Sequence, residues 1–78
     1  MTPEEKGIMA DLFYFLRDHN DPPAPGTEEC TAFWEKAATD IGTMVGRKWQ
    51  NHPLALEVGI ALYGYLEKKC RAKGGGSA

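Results

Sequence analysis

The stretch Gly46-Arg47-Lys48-Trp49-Gln50-Asn51-His52-Pro53 decides the fold of this 78-residue chain. On its N-terminal side an apolar pattern of helical spacing runs through Phe33, Trp34, Ala37, Ala38, Ile41, Met44 and Val45, with Trp49 as its last member. On its C-terminal side Pro53 opens a second apolar run, from Leu54 to Leu66. Proline suits the first position of a helix and breaks its interior. Residues 28–73 therefore form two helices rather than one. The junction also holds two cations, an indole, two amides and an imidazole, more binding chemistry than a capped turn requires.

Working outward, Thr27 caps the helix before the junction, with Glu28 and Glu29 in its first turn where the helix dipole favours acids. Gly42 and Gly46 weaken its second half by ~1 kcal/mol each relative to alanine, which marks that end as the place to fray or bend. Ahead of it, Asp21-Pro22-Pro23-Ala24-Pro25-Gly26 cannot continue a helix and reads as a stiff, extended connector. Before the connector, Thr2-Pro3-Glu4-Glu5 is a capping box with proline at the first helical position. Ile8, Met9, Leu12, Phe13 and Leu16 then recur at helical spacing. The expectation is an all-α, compact three-helix up-down-up bundle over residues 1–73, with helices at about 3–19, 28–49 and 53–72. The closing Gly74-Gly75-Gly76-Ser77-Ala78 reads as an appended linker.

A domain this small buries only roughly 60% of the surface its unfolded chain exposes. Helix three is apolar in nearly every direction, through Leu54, Leu56, Val58, Ile60, Leu62, Tyr63, Tyr65 and Leu66, more than a three-helix core requires. Ala55 and Gly59, four apart, would let another helix approach closely. Self-association into a homo-oligomer is the expectation; the alternative is that helix three is the central helix of a small core.

Composition narrows the function classes. With 42% hydrophobic and 26% charged residues the chain resembles an ordinary soluble domain. Its longest uncharged apolar run, Val58 to Leu66, is far short of the ~20 residues of a membrane span. A net charge of −2 argues against duplex DNA as a partner. Residues 1–7 carry Glu4 and Glu5 instead of a basic start before an apolar stretch, so the expected location is the cytoplasm.

Up-down-up topology brings His19, Cys30 and Cys70 to one pole. Buried filler cysteines are the favoured reading there; a disulfide between them, or a metal site with His19 and Asp21, is the alternative. No paired Cys-x-x-Cys spacing supports a metal, and neither a metal nor a cofactor is expected. Catalysis is not expected either, since neither His19 nor His52 has a nucleophile placed by pattern and the sole serine is Ser77.

The opposite pole carries the junction. Arg47 and Lys48 lie beside the free N–H groups that open helix three, which together suit an anion. Trp49 offers a stacking face, Asn51 and His52 offer hydrogen-bonding edges, and Tyr63 on helix three would line a subunit interface. These six residues are the candidate site, and the ligand they suggest is nucleotide-like. The plainer reading makes Asn51 or His52 a helix cap, Trp49 a core lid, and Arg47 and Lys48 solvated complements of a helix C-terminus. Lys68, Lys69, Arg71 and Lys73 read as the same kind of solvated complement at the end of helix three.

Met1-Thr2-Pro3-Glu4-Glu5-Lys6, the Pro-rich connector before an acidic, Trp-bearing helix, and Asn51-His52-Pro53-Leu54-Ala55 leading to Tyr63-Gly64-Tyr65-Leu66-Glu67 resemble small helical accessory proteins of phages and prophages of Gram-positive bacteria. The resemblance implies binding without turnover and no catalytic residues. It also implies a counter-defence setting, in which such a protein sequesters a nucleotide-derived immune signal between subunits. The alternative it leaves open is an inhibitor or adaptor that docks a host or phage protein through an apolar helix face.

Overall fold

The computed structural model describes residues 1–74, among which there are three α-helices and no strand. Apart from the backbone of Gly74, the linker expected at residues 74–78 lies outside the described residues. Helix α1 spans Pro3–His19, α2 spans Glu28–Gly42 and α3 spans Pro53–Gly74. His52, just before α3, faces Glu4 at the start of α1, and Lys69 near the end of α3 reaches Asn20 just past the end of α1. Cys30 at the start of α2 touches Cys70 at the end of α3. The bundle is therefore up-down-up, as its sequence implies.

Both caps form as the sequence predicts. Glu5 N–H donates to Thr2 Oγ1 at 3.1 Å while Thr2 N–H donates to Glu5 Oε1 at 2.7 Å. Cys30 N–H donates to Thr27 Oγ1 at 3.1 Å. The buried face of α1 is Ile8, Leu12, Phe15 and His19. That corrects the apolar stripe read from sequence, since Met9 and Phe13 are exposed. Spacing of four, three and four keeps one face inward, and the face includes a histidine that a count of apolar residues passes over.

Two clusters make the core. Ile8, Leu12, Val45 and Ala55 form one, and Phe15, Ala37 and Leu66 the other, with Ile41 and Met44 packed against both. Ala55 is fully buried, and a Cβ built on Gly59 would lie 3.3 Å from Val45 Cγ2 and 3.4 Å from Ile41 Cδ1. The small pair Ala55 and Gly59 thus admits the chain's own second helix, not another subunit. What α3 leaves outside is Leu56, Ile60 and Tyr65.

Helix two does not run unbroken to residue 49. After Gly42 it widens into a π-helical turn over Thr43–Lys48, closed by Trp49 N–H donating to Met44 C=O at 3.1 Å. Asn51 N–H then reaches back to Val45 C=O at 2.9 Å. Gln50 and Asn51 both hold left-handed backbone, at φ 51° and 58°. Asparagine tolerates that region and glutamine does so at a cost. The wide turn carries Trp49 onto α1, where its indole lies over Gly7.

The basic end of α3 is less solvated than the sequence suggests. Lys69 Nζ donates to the Asn20 carbonyl at 2.7 Å and to Asn20 Oδ1 at 2.9 Å, and Lys73 pairs with Asp21. Cys70 Sγ donates to Pro23 C=O at 3.2 Å, and Pro22 is fully buried. These contacts hold the connector against the end of α3.

A Cβ on Gly7 would sit 2.7 Å from Cη2 of the Trp49 ring. Gly7→Ala should therefore lower stability by about 1–3 kcal/mol despite alanine's better helix propensity, read by denaturant unfolding together with indole fluorescence. Gln50→Gly should raise stability by about 1 kcal/mol by removing the left-handed penalty at φ 51°.

Candidate functional site

The six residues singled out in the sequence fall in three places. Trp49 belongs to the seam with α1. Its Nε1–H donates to Asp11 Oδ2 at 2.8 Å, and Lys48 Nζ approaches the same oxygen at 2.8 Å while lying 5.5 Å from the Trp49 ring centre. Arg47 and Lys48 face a cleft between α1 and the end of helix two that also holds Asp11, Asp18, Asp40 and His19. Three carboxylates in that cleft offset its cations, which makes it a poor seat for phosphate.

His52 acts as a cap. Leu54 N–H donates to His52 Nδ1 at 3.1 Å, and Leu56 N–H donates to His52 C=O at 2.9 Å. An accepting Nδ1 places the ring proton on Nε2, which faces Glu4 Oε1 at 3.4 Å. With Pro53 lacking an N–H, most donors of the first turn of α3 are already committed.

Asn51 and Tyr63 meet in a third place, an open groove of about 450 Å³ between the end of helix two and α3. Its lining includes Ile41, Val45, Leu56, Ile60 and Tyr63 together with Gly42, Gly46, Gly59 and Gly64. Asn51 stands at one end and Glu67 at the other. The groove is lined mostly by apolar side chains and glycines, and the sequence reading did not isolate it. Its signal was present in the glycines. A Cβ at Gly42 or Gly64 would meet nothing within 4 Å, although glycine inside a helix costs ~1 kcal/mol relative to alanine. Among the described residues, no contact calls for glycine at either position.

Tyr63 packs its ring 5.1 Å from Trp34, and burial, with the Glu67 charge adding, pushes its phenol up. Burial and the adjacent Cys30 likewise push the Cys70 thiol up. At the pole, Cys30 Sγ and Cys70 Sγ stand 3.8 Å apart as free thiols, as the topology predicts. His19 does not join them. Its Nδ1 lies 2.8 Å from Phe15 C=O, its Nε2 lies 3.1 Å from Asp40 Oδ2, and its ring stacks on Phe15 at 4.3 Å. Among the described residues, no three His, Cys, Asp or Glu side chains are grouped to hold a metal ion. No helix there is long and apolar enough to cross a membrane.

Comparison with family models, curated proteins and solved structures finds no match to this chain.

Partial burial pushes the Asp11 carboxyl up, but hydrogen bonds from Lys48 and Trp49, with the Lys48 charge, hold it below the usual carboxylate range. A folded-state value depressed in this way contributes stability above the ordinary carboxylate value, and the contribution fades as pH falls through the folded value. Asp11→Asn should therefore destabilise the protein near neutral pH. The difference from wild type should shrink between about pH 7 and about pH 3, measured as denaturant midpoints.

Proposed function

We propose that this chain is a non-enzymatic binding protein that docks another protein by accepting an apolar helix in the groove beside α3. The observation that supports this most directly is the groove itself: open, lined mostly by apolar side chains and glycine, with the side-chain polar groups of Asn51, Tyr63 and Glu67 among them. An amphipathic helix recognised through apolar anchors three and four residues apart needs such a surface. Close backbone approach over glycine adds dispersion contact along the seam. The counter-defence setting implied by the resemblance to phage accessory proteins belongs to the same proposal. The partner would then be a host or phage protein in the bacterial cytoplasm.

A second reading keeps the nucleotide-derived signal. Asn51 and Tyr63 are the observation in its favour, since they place an amide and a phenol in the groove. Its cations are the difficulty, because Lys48 is paired with Asp11 and Arg47 faces the cleft beside α1.

A photo-reactive benzoylphenylalanine at Leu56 tests the docking reading in Gram-positive cells. Adducts should map to one apolar helical face of a non-self protein, and the same group at exposed Phe13 should give none. A synthetic peptide of that face should bind, and Tyr63→Ala should weaken it at least ~10-fold. Calorimetry with cyclic and ADP-ribose-type nucleotides tests the second reading. Binding tighter than ~100 µM that Arg47→Ala with Lys48→Ala weakens at least ~100-fold would replace helix docking with signal capture.

A further inference from the structure

We infer that in the free protein the groove is filled by α3 of a second copy, in an antiparallel pair centred on Ile60. The inference rests on the helix-docking reading and names the occupant when no other partner is bound. Ile60 is 70% exposed in the single chain although it lies mid-helix in an apolar run. Leu56, also exposed, precedes it by one turn, and Gly64, whose Cβ position is open, follows by one turn. Knob and hole therefore sit at equal distances on either side of Ile60, on one face of one helix.

A two-fold axis at Ile60 uses that spacing directly. It sets Leu56 of each copy over Gly64 of the other and brings the two Ile60 side chains together, burying the most exposed apolar group of α3. An interface that pairs a surface with itself must carry both halves of each contact, and this face does. The ends match in charge as well. The same register sets Glu67 of one copy opposite Pro53 of the other, where the positive end of the helix dipole and the Asn51 amide favour a carboxylate. A net charge of −2 per chain opposes pairing only weakly.

The pair spans residues 53–67, about 21 Å of helix, so the dimer is small and dissociates in the range of about 1–100 µM. Such an occupant covers the apolar groove yet yields to a partner that binds more tightly.

Sedimentation velocity from about 5 to 500 µM should show a concentration-dependent dimer. Ile60→Asp should abolish it while circular dichroism keeps its helical signal, since residue 60 points to solvent in the single chain. Gly64→Leu, which fills the hole without adding charge, should weaken the dimer at least ~10-fold. Ile60→Cys treated with oxidised glutathione should give a disulfide-linked dimer, and Tyr65→Cys should not. A wild-type protein that stays monomeric throughout, or a dimer that survives Ile60→Asp, overturns the inference. Either result leaves the docking reading to its own test, because adducts from Leu56 to a non-self protein do not depend on a dimer.

Discussion

The contact on which the rest of this structure depends is the Trp49 indole lying over Gly7 with its N–H on Asp11. It ties the end of helix two to the first half of α1 across most of the chain's length. Everything next to it is arranged to make it possible. The glycine leaves room for the ring, the carboxylate four residues later receives the N–H, and Lys48 returns to the same carboxylate so that its charge is not left alone. The π turn delivers Trp49 to that spot while keeping Val45 in the core. Beyond the turn, the left-handed pair Gln50 and Asn51 reverses the chain into α3.

Helix three is consequently shared between two tasks. Its Ala55, Gly59 and Leu66 are consumed by packing within the chain, and Leu56 and Ile60 are not. In so small a domain an apolar residue left outside represents lost core, and lost core is costly when total stability is only a few kcal/mol. The groove glycines weaken two helices further. Both departures from the most stable choice meet on one surface, whereas Phe13, exposed on α1, is an apolar residue left outside with no groove glycine beside it.

Helix number, order and caps were legible because they follow from local chemistry: a capping box at Thr2, a proline-dense connector and a proline opening α3. The inward face of α1 was partly misread because His19 counts as polar although its ring packs like an aromatic and both its nitrogens find partners. The π turn was foreshadowed only as a weak helix end at Gly42 and Gly46, since hydrophobic spacing does not tell a widened turn from a frayed one. The candidate site was legible as a concentration of chemistry at residues 46–53. The plainer reading of His52 as a helix cap is the one its bond from Leu54 N–H fits. Sequence order could not reveal that Arg47 and Lys48 turn toward α1 or that Asn51, with Gly46, joins Tyr63 in the groove. The groove lies between segments some twenty residues apart, so its glycines hinted at an open face but not at which segments would form it.

The widened turn also has a bearing on how this fold can drift. A π turn holds one residue more than the α-helical path it replaces, so helix two carries a phase shift of roughly 100° between its start and its end. Loss of any one residue between Thr43 and Lys48 would leave a more regular helix with stronger local hydrogen bonding. It would also swing Trp49 away from Asp11 and rotate the wall of the groove relative to α3. Length variation here is therefore constrained by phase, not by space, and chains that share this architecture are expected to keep the spacing from Ala37 to Trp49 fixed while the connector at residues 21–26 varies.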